Sequence, residues 1–141
     1  MQAVVIYESL TGNTAKAGRA IAAELTDSGL PTRAFPITGI DYQALADADL
    51  VIVGSWVDGL ILVGQRPGRL GRINAMPALA GKRAIVYLTY AIDAGRSLEK
   101  LSAAVEARGA EVLGGQTIRR DKLAQGVDDL VDRILAATAA T

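Results

Sequence analysis

Five short apolar stretches of the sequence alternate with segments in which apolar residues recur at helical spacing. The stretches at residues 50–54 and 83–89 are continuous runs, which is typical of strands covered on both faces. The helical segments between them supply the crossovers that parallel strands require. We therefore predict a single α/β domain over residues 1–141, a doubly wound five-stranded parallel sheet with helices on both faces. The predicted strands cover residues 3–7, 32–37, 50–54, 83–89 and 110–118.

Breaks in these patterns refine the expected arrangement. Pro36 lacks an amide hydrogen, so the second strand is predicted to lie at an edge of the sheet. The pair Gly114-Gly115 interrupts the last strand and predicts a bulge or bend there. The predicted helices cover residues 15–27, 41–46, 67–73, 98–108 and 121–140, the second of them as a short turn.

The composition excludes several classes of function. The chain has 15 acidic and 15 basic residues and no net charge, whereas a nucleic-acid-binding domain is expected to be basic. Because histidine and cysteine are both absent, imidazole and thiolate catalysis and the common zinc sites are excluded. No apolar run approaches the roughly 18 residues of a membrane span, and no basic signal-peptide region precedes the first strand, so we expect a cytoplasmic protein.

The segment that follows the first strand is predicted to bind a phosphate group. It joins a strand to a helix, where free N–H groups and the helix dipole favour an anion. It has neither the lysine of a P-loop nor a dinucleotide glycine pattern, which favours a monophosphate held by hydroxyl and amide groups without a cation. Simple helix capping is the alternative, and Glu8 is expected to point away. The predicted phosphate-binding residues are Ser9, Leu10, Thr11, Gly12, Asn13 and Thr14.

Two further loops follow the third and fourth strands, and ligands of such sheets bind where these carboxyl ends meet. Trp56, the only tryptophan, offers a flat surface for a planar ligand, with packing on the core as the alternative. Tyr90 is a candidate for the opposite face of the ring, and Asp93 is also a candidate cap for the next helix. The predicted ligand-binding residues are Ser55, Trp56, Val57, Asp58 and Gly59 in one loop and Thr89, Tyr90, Ala91, Asp93 and Gly95 in the other.

A phosphate site beside two aromatic residues describes a phosphorylated planar molecule, and flavin mononucleotide (FMN) fits that description. The motifs also resemble those of short-chain flavodoxins. The resemblance implies strand order 2-1-3-4-5, non-covalently bound FMN, and electron transfer between a flavin- or ferredoxin-type reductase and a redox acceptor protein. It further implies that Trp56 and Tyr90 sandwich the flavin ring and that the backbone of residues 57–59 faces flavin N5. The residues that carry it are Ser9-x-Thr11-Gly12-x-Thr14, Gly54-Ser55-Trp56, and Thr89-Tyr90 followed by Asp93 and Gly95.

Some positions differ from that family pattern. Val57 stands where the family often has glycine, and residues 60–69 are apolar and then basic where an acidic segment is common. The apolar part is either core packing or a docking patch for a partner protein. The arginines at 66, 69 and 72 form either a solvated face or a positive surface. Two other functions stay open, an FMN-dependent NAD(P)H:quinone-type reductase and a flavodoxin-like module without redox activity.

Overall fold

Parallel strands form the centre of the structure, a computed structural model that describes residues 1–58 and 65–139. Because each strand joins its parallel neighbour through a helix, all the strand carboxyl ends lie at one edge of the sheet. The strands are β1 (Ala3–Tyr7), β2 (Thr32–Pro36), β3 (Leu50–Asp58), β4 (Arg66–Pro67), β5 (Arg83–Tyr90) and β6 (Glu111–Arg119).

The order of the strands is β2-β1-β3-β5-β6, with β4 beside the end of β3. When β4 is left aside, this is the predicted order 2-1-3-4-5, and the predicted doubly wound fold is confirmed. The strand β4 was not predicted. It pairs antiparallel with β3, placing Pro67 opposite Val57 and Arg66 opposite Asp58.

Helices connect the strands in the predicted alternation. The segment expected to form a helix over 67–73 is different in the structure, because Arg66 and Pro67 pair with β3 and the helix begins only after Arg69. Two short 3₁₀ turns, Ile37–Gly39 and Arg120–Lys122, follow β2 and β6. The helices are α1 (Asn13–Asp27), α2 (Tyr42–Asp47), α3 (Leu70–Asn74), α4 (Ser97–Ala107) and α5 (Leu123–Ala139).

Two apolar layers cover the two faces of the sheet. On one face, Ile21 of α1 and Ile134 of α5 pack with Val5 and Ile52, and all four side chains are buried. On the other face, α2, α3 and α4 pack on alternate residues of the same strands. Burial of this kind contributes roughly 25 cal/mol per Å² of apolar surface. It explains why the strand sequences are continuously apolar, as expected for a sheet covered on both sides.

The edges of the sheet match the sequence prediction. Strand β2 pairs only with β1 in the strand order, so the strand that contains Pro36 is an edge strand. At the opposite edge, Ala84 pairs with Val112 and the next residue of β5 pairs with Gly114. Leu113 is therefore the extra residue of a β-bulge, which confirms the predicted irregularity beside the glycine pair.

One buried tyrosine ties the sheet to the beginning of α1. The Tyr87 side chain is fully buried and lies where a side chain on Gly54 would otherwise sit. Its hydroxyl donates a hydrogen bond to the carbonyl oxygen of Thr14 at 2.9 Å, and burial raises the pKa of Tyr87 far above its usual value. This bond holds the first turn of α1 against the carboxyl ends of β3 and β5.

An acidic cluster lies between α1 and α5, away from that edge. One carboxylate oxygen of Glu24 is buried with no donor in the described part of the chain. The pKa of Glu24 rises to about 7, mainly because a hydrogen bond to Asp128 favours the protonated form. Burial and the negative charges of Asp132 and Asp27 add to this shift.

Among the described residues, no helix is both long and apolar enough to cross a membrane.

Candidate cofactor-binding site

A cavity of about 470 Å³ opens at the carboxyl edge of the sheet. Its volume lies in the range of pockets that hold small ligands and cofactors. The loop after β1, the carboxyl end of β3, and the end of β5 with the residue that follows it all contribute to the cavity, as the switch-point rule requires. The lining residues are Leu10, Thr11, Asn13, Trp56, Val57, Asp58, Thr89, Tyr90, Ala91 and Arg120. All of them except Arg120 belong to the set predicted from the sequence.

The loop after β1 presents backbone donors to this cavity. Gly12 has a φ of 99°, a left-handed conformation that side chains disfavour, and it directly precedes α1. The hydroxyl oxygen of Ser9 accepts bonds from the amides of Gly12 (3.2 Å) and Ala15 (3.3 Å). Ser9 therefore takes the Ala15 amide, whereas the amides of Asn13 and Thr14 at the start of α1 have no acceptor within the helix. The loop therefore has the geometry that favours an anion at the positive end of α1.

The predicted hydroxyl groups differ in whether they face the cavity or bond within the protein. The side chain of Thr11 lines the cavity, whereas the buried Thr14 hydroxyl lies 2.8 Å from the hydroxyl of Thr89, with which it shares a hydrogen bond. Ser55 is also fully buried and donates to the carbonyl oxygen of Gly68 at 2.7 Å. In this structure Thr14 and Ser55 hold these segments together, and the phosphate-binding role of Thr14 stays a prediction.

Trp56 lies on a platform made by the turn after β4. The indole covers Gly68 so closely that a Cβ at this glycine would overlap the ring carbons. The guanidinium of Arg69 lies 5.4 Å from the centroid of the indole, a cation–π contact. The amide of Gly68 donates to the carbonyl oxygen of Trp56 at 2.7 Å. The indole is thus supported by the protein while its residue still lines the cavity.

Charged residues around the platform are paired. The buried carboxylate of Glu8 accepts bonds from Arg69 at 3.1 Å and from Arg72 at 3.2 Å. Glu8 therefore directs its charge to α3, as expected, and away from the phosphate loop. Arg66 forms an ion pair with Asp58 at 3.4 Å. The three arginines are therefore paired residues rather than a free positive surface.

The second predicted aromatic residue, Tyr90, is the last residue of β5. Tyr90 and Ala91 line the cavity, so both predicted aromatic rings contribute to one site. Asp93 does not cap α4, because its carboxylate accepts from the amide of Gly95 at 3.3 Å, two residues on. The carbonyl oxygen of Asp93 also accepts a bond from the Gln65 side chain. These bonds shape the loop, and Gly95 adopts a φ of 56° in the turn.

The predicted site includes residues after β3 and omits Arg120. Gly59 and the apolar run at positions 60–64 lie outside the described residues. Arg120 was not predicted, because only the loops after the first, third and fourth strands were expected to form the site. A signal was available in the rule already used, since Arg120 follows the carboxyl end of the last strand and that end lies at the same edge.

The arrangement fits a phosphorylated planar cofactor. The start of α1 provides amide donors at one part of the cavity, and two aromatic residues provide flat surfaces at another. The described residues include no group of histidine, cysteine or acidic side chains that would hold a metal ion.

Comparison with known proteins identifies relatives of the same architecture. A family model described as a flavodoxin domain matches residues 4–119. No curated protein matches the sequence.

Solved structures of flavodoxins align over nearly the whole chain. A variant of the Pseudomonas aeruginosa flavodoxin is 19% identical, with 99% of this chain and 97% of that one covered and a TM-score of 0.69. Two-electron reduced Megasphaera elsdenii flavodoxin is 17% identical, with coverage of 90% and 98% and a TM-score of 0.68. The Flv1 flavodiiron core from Synechocystis is 18% identical, with a TM-score of 0.70, and aligns with all of this chain through 37% of its own length. At these identities the likeness establishes a shared fold.

Proposed function

This chain belongs to the flavodoxin family, and we propose that it binds FMN non-covalently and carries electrons between a reductase and a redox acceptor protein. The observation that supports this proposal is the cavity at the carboxyl edge, where the start of α1 and the residues Trp56 and Tyr90 contribute to one site. The bound flavin supplies the redox chemistry, and the protein supplies binding, orientation and electrostatics.

Different residues of the cavity bind the phosphate group and the flavin ring. The amides of the first turn of α1 and the Thr11 hydroxyl bind the phosphate group. Trp56, supported from behind by Gly68 and Arg69, holds one side of the flavin ring, and Tyr90 holds the other. The backbone of Val57 and Asp58, paired with β4, is held in place beside the ring.

An electron carrier needs no proton-transferring side chain at the flavin, and the composition agrees with that role. Besides Tyr90, the titratable residues among the described lining residues are Asp58 and Arg120, and Asp58 is held by Arg66.

The reductase and the acceptor protein are part of the proposal, as is a cytoplasmic location. An FMN-dependent reductase of quinones is the competing activity.

Trp56 gives a direct test of binding, because it is the only tryptophan in the chain. Titration of the flavin-free protein with FMN is expected to quench the indole fluorescence and to yield a yellow protein after gel filtration. Free N-acetyltryptophanamide titrated in parallel corrects for light absorbed by the flavin. A protein that neither quenches nor retains the yellow colour would refute the proposed binding.

Mixing with reduced nicotinamide cofactors tests the carrier role. The FMN-loaded protein is expected to stay oxidised when mixed anaerobically with NADPH or NADH alone, and to be reduced when a flavin-dependent reductase is added. The absorbance of the flavin near its visible bands reports the change. Fast reduction by NADPH alone would favour the FMN-dependent reductase and contradict the carrier.

A further inference from the structure

The cavity contains one positive charge that nothing in the described part of the chain neutralises. Asp58 and Arg120 are the lining residues with a formal charge, and Asp58 forms its ion pair with Arg66. Asp121 is next to Arg120 in sequence, but it binds Arg119 through two contacts of 3.1 Å. Arg120 has no ion pair or hydrogen bond within residues 1–58 and 65–139. Its guanidinium is therefore available to an anion.

The topology places this charge on the side of the cavity where α1 begins. Arg119 pairs with Tyr90 across β5 and β6, so Arg120 directly follows the carboxyl end of β6. Thr89, beside Tyr90, shares its hydroxyl bond with Thr14 in the first turn of α1. Because α1 and α5 cover the same face of the sheet, the turn that leads into α5 lies on the same side as the phosphate loop.

We propose that Arg120 is a phosphate-binding residue, which makes this site select phosphorylated flavin over the unphosphorylated form. This inference rests on the proposed binding of FMN and replaces the expectation that no cation takes part. A guanidinium presents several N–H donors that match the oxygen atoms of a phosphate. Thr11 and Asn13 line the same cavity, so the guanidinium completes a set that otherwise has only hydroxyl and amide donors.

The test compares FMN with riboflavin, which has the same ring and lacks the phosphate. The variants are Arg120→Gln, Arg120→Lys and, as a matched control, Lys122→Gln. Lys122 belongs to the same exposed turn and carries the same charge but does not line the cavity. Dissociation constants are measured by quenching of Trp56 at low and at moderate salt concentration, and thermal unfolding of each variant checks the fold.

We expect Arg120→Gln to weaken FMN about tenfold, the effect of one charged hydrogen bond at an exposed position, and to leave riboflavin unchanged. Arg120→Lys is expected to restore part of the loss, and Lys122→Gln to leave both ligands unchanged. The salt dependence of FMN binding is expected to decrease in Arg120→Gln, because a screened attraction has been removed.

The outcomes separate this inference from the proposed function. If the unaltered protein binds FMN and Arg120→Gln changes FMN and riboflavin equally, or changes neither, the phosphate role of Arg120 is refuted while FMN binding stands. Equal weakening by Lys122→Gln would also refute it, because a general effect of charge would then explain the result. If the unaltered protein binds neither ligand, the proposed function itself fails.

Discussion

Replacement of Gly68 with alanine is expected to displace the indole of Trp56 and to weaken flavin binding. An added Cβ would overlap the indole carbons. The backbone of Gly68 cannot retreat easily, because its amide donates to Trp56 at 2.7 Å and its carbonyl accepts from the buried Ser55 hydroxyl at 2.7 Å. Gly68 is not among the residues with positive φ, so alanine tolerates its backbone conformation. The indole is therefore the group that moves.

The size of the effect follows from two physical contributions. Overpacking of this kind typically costs about 1–3 kcal/mol of stability. Because Trp56 is only partly buried, its indole has room to rotate, and we expect the lower part of that range. A displaced indole no longer stacks on the flavin, and aromatic stacking contributes about 0.5–1.5 kcal/mol. The dissociation constant of FMN should therefore rise about 2- to 12-fold.

Gly71→Ala is the matched control for this experiment. A Cβ at Gly71, three residues away in α3, would meet no atom within 4 Å. Alanine is favoured over glycine in helices by up to about 1 kcal/mol, so the control should be as stable as the parent protein or slightly more stable. Urea unfolding gives the stability, and titrations with FMN and riboflavin give the affinity. Unchanged binding of both flavins by Gly68→Ala would refute the assignment of Trp56 to the ring.

Three further predictions concern other residues. Thr11→Ala should weaken FMN roughly three- to tenfold and leave riboflavin unchanged, because only FMN presents a phosphate to this hydroxyl; equal losses in fluorescence titrations would contradict the phosphate role. Glu8→Gln should lower the unfolding free energy by about 2 kcal/mol in urea titrations, because a buried ion pair loses its charge while the arginine partners remain partly solvated. Glu24 has a folded-state pKa of about 7 against 4.5 when unfolded, so its contribution is complete below pH 4.5 and is lost as the pH rises through 7. The parent protein should therefore lose about 1–2 kcal/mol relative to Glu24→Gln between pH 4.5 and pH 8, after allowance for solvent screening, and parallel pH profiles of urea unfolding would refute this.

The sequence predicts the central strands well because their pattern has a direct physical cause. The strand Leu50–Asp58 begins with a continuous apolar run. Such a run is required when both faces of a strand are covered. Pro36 identifies an edge strand because it has no amide hydrogen to donate. The pair Gly114-Gly115 identifies a bulge because neither residue has a side chain. In each case the sequence signal lies in the same residues that form the structural feature. The cavity at the carboxyl edge then follows from the connection of parallel strands.

Features that depend on pairing between distant residues could not be predicted in the same way. Residues 67–73 were expected to form a helix, but Arg66 and Pro67 gain hydrogen-bonding positions beside β3 instead. The hydrogen bond between Thr14 and Thr89 could not be predicted for a similar reason, since the two residues lie 75 positions apart. Asp93 was a candidate helix cap by composition, although in the structure it bonds to its own turn.

The charge of the site shows most clearly why residue type alone was insufficient. The sequence presents three arginines near one loop, and each is paired through the fold, two of them with a glutamate more than 60 residues away. Glu8 and Asp58 offset part of this positive charge, because Arg69 and Arg72 share one carboxylate. Arg120 is followed directly by an aspartate, yet that aspartate binds Arg119. Arg120 and the start of α1 both favour a negatively charged ligand at the same corner of the sheet.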